Sequence, residues 1–206
     1  MKRLLILASK LGYQTRSFAE AAERLGAEVV FGTDRCGRLD DPWADGAVPL
    51  HFENPQQAAQ RIVDAFREKR VDGIVALGDR PTSTAAHAAA ALGIFHNSPD
   101  AVENCRTKLR QREVLRYAGL PVPDFFAFSR DEEISRVLPR VKFPCVVKPL
   151  SLAASQGVIR ANNASEFMVA ANRIKTLLES PELRATREPS LDRLLVERYV
   201  APKAKA

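Results

Sequence analysis

Lys148 closes an apolar run, Phe143-Pro144-Cys145-Val146-Val147-Lys148-Pro149, and a loop of small residues from Ser151 to Gly157 follows it. Proline cannot continue a central strand, so the lysine is expected where the strand stops. Val158-Ile159-Arg160 reads as a second, short strand returning along the first. A cation at a strand end, facing a loop whose backbone N–H groups are accessible, suits a polyphosphate: the ammonium is a point charge, and small residues let oxygens come close. The P-loop is excluded, because no G-x-x-x-x-G-K-[ST] occurs. An ordinary strand with a solvated terminal lysine would carry the same residues, so other segments decide the matter. The remaining chemistry-bearing residues are dispersed. His51, His87 and His96 have no acid–base partner in sequence and read as structural, and Cys36, Cys105 and Cys145 have no metal-ligand spacing.

The elements that must position Lys148 alternate in the first hundred residues. Arg3–Ser9, Glu28–Phe31, Ala47–Leu50 and Gly73–Leu77 read as strands. Between them lie helical stretches: Tyr13–Leu25 closed by Gly26 as C-cap, Asn54 (N-cap) and Pro55 opening a helix to about Lys69, and an alanine-rich helix from Asp79-Arg80-Pro81-Thr82 to Gly93. This rhythm predicts a parallel sheet with helices on both faces. Ligands of such sheets sit beyond the carboxyl ends of the strands, at Ser9–Gly12, Thr33–Arg35 and Gly78–Arg80. Asp79, Arg35 and Arg80 at those ends have two readings, contact with a substrate or solvated loop charges, and the second is the more ordinary one. Ser98-Pro99-Asp100 marks a boundary, and two helices then lead to Pro121 and Pro123. Phe125–Phe128 reads as a strand, Ser129 and Glu132 as a capping box, Ser165–Leu178 as a helix, Ser180–Ser190 as a polar loop, and Leu194–Val200 as the last strand. The predicted partition is 1–98, a helical connector 99–123, a nucleotide-binding subdomain 124–200, and a frayed tail 201–206.

Three segments in order around Lys148 carry a resemblance. Lys108 stands ten positions before Ala118, which opens Ala118-Gly119-Leu120-Pro121-Val122-Pro123; the Lys148 strand follows; then comes Leu195-Val196-Glu197-Arg198-Tyr199-Val200. Together they resemble the ATP-grasp superfamily over nearly the whole chain. The resemblance implies an α/β fold: a Rossmann-like pre-ATP-grasp domain followed by a small α+β subdomain, the first half of an ATP-grasp fold. It implies ATP as the bound nucleotide, with Lys148 at the α-phosphate and Lys108 as the second nucleotide lysine. Ser155 and Gly157 would lie in the phosphate flap. Glu197 would lie near the adenine amino group, and the backbone of Arg198, Tyr199 and Val200 would form the hinge strand along the base edge. The flap departs from the pattern: it has one glycine, Gly157, where many relatives have several. The implied activity is an ATP-dependent carboxylate–amine or carboxylate–thiol ligase, in which a carboxylate becomes an acyl-phosphate and a nucleophile displaces phosphate.

The resemblance also implies a second α+β half, roughly a hundred residues, that supplies the Mg²⁺ ligands; six residues follow Val200 here. The expectation is therefore a shortened ligase, inactive alone, with no metal ligands of its own. A non-catalytic nucleotide- or partner-binding module is the alternative. Composition agrees with a folded protein: 206 residues, 46% hydrophobic and 27% charged, with no apolar run of about 20 residues that would span a bilayer. The odd cysteine count and the absence of a signal peptide point to the cytoplasm. Residues 1–100 hold 12 Lys/Arg against 13 Asp/Glu, whereas residues 101–206 hold 19 against 12. The basic second half calls for an anionic partner. No helix-turn-helix, zinc-finger or aromatic-interleaved signature supports nucleic acid. ATP and a carboxylate substrate are the expected ligands, and a homodimer or a complementing C-terminal half stays open.

Overall fold

The computed structural model describes residues 1–9, 13–34 and 47–201. The chain forms two compact units, Met1–Glu103 and Asn104–Ala206. The first contains β1 (Arg3–Ala8), α1 (Tyr13–Arg24), β2 (Glu28–Thr33), β3 (Ala47–Pro49), α2 (Pro55–Ala65), β4 (Gly73–Leu77) and α3 (Thr82–Leu92). Helix α4 (Pro99–Arg106) lies at the boundary. The second contains α5 (Lys108–Tyr117), β5 (Phe125–Ser129), α6 (Ile134–Val137), β6 (Cys145–Pro149), β7 (Ile159–Ala161), α7 (Ala164–Leu178), α8 (Pro181–Arg184) and β8 (Arg193–Arg198). No helix among the described residues is long and apolar enough to cross a membrane.

The first sheet is parallel throughout, in the order β3-β2-β1-β4. Its central strand β1 is Leu4-Leu5-Ile6-Leu7, an unbroken apolar run that suits a strand covered on both faces. Leu5 and Leu7 point into a core with Leu50, Phe52, Ile62 and Phe66. Ala85, Ala88 and Ala89 of α3 join it, and such small side chains let α2 and α3 approach closely. Ile6 and Ala8 are buried on the other face, where α1 packs against β1 and β2. The predicted α/β layering is thus present, with helices on both faces.

The second sheet is antiparallel, in the order β5-β8-β6-β7. Cys145, Val147, Leu194 and Val196 turn one face toward Phe167, Ala170, Ala171, Ile174 and Leu178 of α7. Because side chains alternate along a strand, Val146, Lys148, Leu195 and Glu197 turn to the opposite face. That division places Lys148 and Glu197 on one side, whereas Arg198, opposite Cys145 at the strand end, falls on the other.

Several sequence expectations move. β6 runs through Pro149, which stands opposite Leu194 as its last rung, rather than stopping at Lys148. The helix opened by Pro55 ends at Ala65, because Phe66 and Val71 must both enter the core. Asn54 caps it without a side-chain bond: its φ −122° and ψ 75° do not aim the amide at the first turn. The Ser129/Glu132 capping box is absent. Ser129 is the last residue of β5 and closes a turn rather than a helix: its hydroxyl accepts from Asp131 N–H (3.3 Å) and its carbonyl from Glu132 N–H (3.1 Å), while Arg130 N–H donates to Asp192 O (2.7 Å) and the next helix starts only at Ile134. A reciprocal cap forms instead at α7, where Asn163 Oδ1 accepts from Glu166 N–H (3.0 Å) and the Glu166 carboxylate accepts from Asn162 N–H (2.8 Å). The loop expected over residues 180–190 contains α8. The last strand ends at Arg198, two residues before Val200.

Cys145 is fully buried in the second core, and burial pushes its thiol up from 9.0 to about 11. The folded state therefore keeps a proton that the unfolded chain loses above pH 9.0. Stability from this group is complete below the unfolded value and is lost as pH rises toward the folded one. Denaturant titrations at pH 8 and pH 11 are expected to show wild type losing about 1–3 kcal/mol more than Cys145→Val between these pH values. Equal losses in both proteins would refute the assignment.

Candidate functional site

The polar face of the second sheet is organised by one carboxylate. Glu197 on β8 stands opposite Val146 on β6, which puts it diagonal to Lys148 on the same face. Lys148 Nζ donates to Glu197 Oε2 at 2.6 Å, and Arg112 Nε of α5 donates to Oε1 at 2.8 Å. The side chains of Lys148 and Glu197 are 12% and 8% exposed. A carboxylate this far from water needs partners on both oxygens, and it has them. Arg112 was not singled out from the sequence. The available signal was its position four residues after Lys108, which places both on one face of α5.

Lys108 reaches the same strand end by another route. Its Nζ donates to Leu152 O (2.7 Å) and Leu150 O (3.2 Å), and its backbone N–H also donates to Leu150 O (3.1 Å). The start of α5 is thus fastened to the chain just beyond β6. The loop that follows is tightly shaped. Ala154 and Ser155 adopt φ of 53° and 58°, and Gly157 has φ 69°. A Cβ on Gly157 would lie 3.0 Å from the Pro149 ring, so glycine is required there by both conformation and space. Ser155 is exposed, and the buried Ser151 hydroxyl has no hydrogen-bond partner. Among the described residues no group of three or more His, Cys, Asp or Glu converges as a metal site.

The hinge residues lie at the end of β8. Arg198 N–H donates to Asp124 O (2.8 Å), and Tyr199 N–H donates to Pro144 O (2.9 Å). The Arg160 guanidinium stacks on the Tyr199 ring, 4.0 Å from its centroid. Val200 lies past the strand and is exposed. The structure therefore joins Lys148 and Arg112 on Glu197, fastens Lys108 to the chain just beyond β6, and sets Arg198 at the end of β8 with Tyr199 and Val200 beyond it.

The first unit has its own charged cluster at the carboxyl ends of its strands. Arg80 is not a solvated loop charge. It lies between Asp34 (Nε to Oδ2, 3.3 Å) and Glu53 (Nη2 to Oε2, 3.2 Å), and all three side chains are largely buried. The Ser9 hydroxyl donates to Asp34 at 2.8 Å, and His51 Nδ1 is 3.4 Å from Glu53 Oε1. Burial alone would raise the Glu53 carboxyl, but a backbone hydrogen bond and the charges of Arg80 and His51 hold it below its usual range. Asp79 is exposed, as read from the sequence. Lys10–Gly12 and Arg35 lie outside the described residues, as does Cys36.

Residues 19–95 match the ATP-grasp N-terminal domain, and residues 141–203 match the ATP-grasp domain. The chain belongs to the ATP-grasp superfamily. It is 35% identical over 172 residues to an uncharacterized protein, y4rH, of Sinorhizobium fredii, a match covering 81% of this chain and 35% of that protein. It is 28% identical over 169 residues to the ATP-grasp enzyme fsqD of Aspergillus fumigatus, covering 77% of this chain and 28% of that enzyme. The chain thus spans about a third of the length of these curated relatives. Among solved structures, an L-amino acid ligase from Bacillus licheniformis superposes with a TM-score of 0.69 at 26% identity, over 97% of this chain and 47% of that one.

Glu197 should be the structural keystone of this face. Glu197→Gln leaves Lys148 and Arg112 side by side without a counter-charge. It is expected to lower stability by about 2 kcal/mol in denaturant titrations, more than Lys148→Ala, which leaves Glu197 paired with Arg112. The reverse order would contradict the assignment.

Proposed function

We propose that this chain is the nucleotide-binding part of an ATP-dependent ligase, and that it holds ATP on the Lys148/Glu197 face of the antiparallel sheet. The observation that carries the reading is the pairing of two lysines with one strand end: Lys148 lies on the polar face of β6, and Lys108 is held against the Leu150 and Leu152 carbonyls just beyond it, beside a tightly shaped loop. Lysine ammonium groups stabilise phosphate charge most effectively where water is largely excluded. Lys148 would face the phosphates directly. Lys108 would hold the loop entrance through the Leu150 and Leu152 carbonyls while adding a second cation. Glu197, the Arg198 carbonyl and the Val200 backbone would take the adenine edge, and Ser155 and Gly157 would cover the phosphates.

Bound ATP would supply the phosphoryl group that activates a carboxylate for attack by an amine or another nucleophile. The L-amino acid ligase likeness supports a carboxylate–amine reaction. The described residues present no cluster that fits Mg²⁺, so no step through a metal is assigned to them. In the first unit, the Arg80 cluster at the carboxyl ends of the strands is where an acceptor substrate would meet this chain.

Isothermal titration with ATP tests the reading. Wild type is expected to bind, and Lys148→Ala to weaken binding by about tenfold or more, a loss of roughly 1.4 kcal/mol. Lys108→Ala should weaken it less, because that lysine is partly committed to backbone carbonyls. An unchanged Kd for Lys148→Ala would overturn the assignment.

A further inference from the structure

We infer that Arg112 is a positioning residue that, by sharing Glu197, leaves Lys148 with a net positive charge toward the nucleotide phosphate without itself touching the phosphate. The inference rests on the nucleotide reading above and adds a determinant of its affinity.

The argument begins with charge. Lys148 is the cation best placed for an anion, but its ammonium sits 2.6 Å from Glu197 Oε2. A lysine paired one-to-one with a carboxylate presents almost no net field to a third charge. Arg112 changes that balance, because its Nε takes the other oxygen, Oε1, at 2.8 Å. Two cations now share one carboxylate, so one positive charge is left over. Geometry decides which cation presents it. The fixed guanidinium fork of Arg112 is also committed to Gln111, with Nη1 donating to its Oε1 at 3.2 Å. The ammonium of Lys148 has three donors, of which Glu197 uses one, so the surplus appears at Lys148.

Burial keeps the surplus effective. Glu197 is 8% exposed and Lys148 12%, so solvent screens the trio less than it would a surface pair. Arg112 is reached from α5, one turn after Lys108. The helix therefore delivers a lysine to the strand end and an arginine to the carboxylate that would otherwise neutralise Lys148.

The charge count makes an unusual prediction. Removing Arg112 brings the trio to neutrality, and then removing the Glu197 charge as well restores one positive charge. The experiment measures Kd for ADP and for adenosine with wild type, Arg112→Met, Arg112→Lys and the double variant Arg112→Met/Glu197→Gln, with thermal melts to confirm folding. Arg112→Gln replaces Arg112→Met if that protein does not fold. Wild type should bind ADP more tightly than adenosine. Arg112→Met should shrink that preference about tenfold while leaving adenosine within about twofold. Arg112→Lys should keep most of the preference, and the double variant should regain it even if adenosine binds less well. Equal weakening of ADP and adenosine by Arg112→Met, or no recovery in the double variant, would overturn the inference while leaving the nucleotide site intact. If wild type itself showed no preference for ADP, the phosphate-site reading would fall, and this inference with it.

Discussion

A carboxylate removed from water must be matched on both oxygens, and Glu197 meets that requirement through Lys148 on a neighbouring strand and Arg112 on a helix. The match ties together three parts of the second unit that are remote in sequence. It holds β6 and β8 in a register that puts the lysine and the glutamate on one face. It also brings α5 across that face, and Lys108 at the start of the helix then reaches the carbonyls of Leu150 and Leu152. The opposite face is apolar except for Arg198 at the strand end, and Phe167, Ile174 and Leu178 of α7 cover it. One face packs against α7 and the other carries the Lys148–Glu197–Arg112 trio.

The two units solve different problems with their sheets. The first is parallel, and its core comes from an unbroken apolar β1 with alanine-rich α3 pressed close. Its charged residues have nowhere to go but the strand ends, where Ser9, Asp34, Glu53 and Arg80 form a partly buried network. The second is antiparallel, and alternation lets it carry charge in the middle of a face. The chain belongs to the ATP-grasp superfamily, and both units have their counterpart in the matched domains.

Much of this was legible in the sequence, for identifiable reasons. The strands of both sheets are dense in β-branched and aliphatic residues, so their existence was clear, although ends shifted by one to a few residues. Lys148 stood out because a lone cation ended an apolar run before a proline. Lys108 and Glu197 stood out only through the order and spacing of the segments that contain them. Arg112 did not stand out: a cation on a basic helix looks solvated until the helix is placed against a strand 85 residues away. Arg80 failed for the same reason, since its partners Asp34 and Glu53 come from other strand ends. Ser129 misled because its spacing to Glu132 mimics a cap, whereas pairing with Arg193 keeps it in β5. Local patterns report local structure; charge pairing across elements is set by packing.

The central claim is that nucleotide lies on the Glu197 face. The most direct test is a map of backbone amide chemical-shift changes in isotope-labelled protein titrated with ADP. The account predicts saturable changes concentrated at Lys108, Lys148, the Ser151–Gly157 loop and Glu197–Val200, with the α7 core face silent. Changes confined to other surfaces, or none at saturating nucleotide, would contradict it.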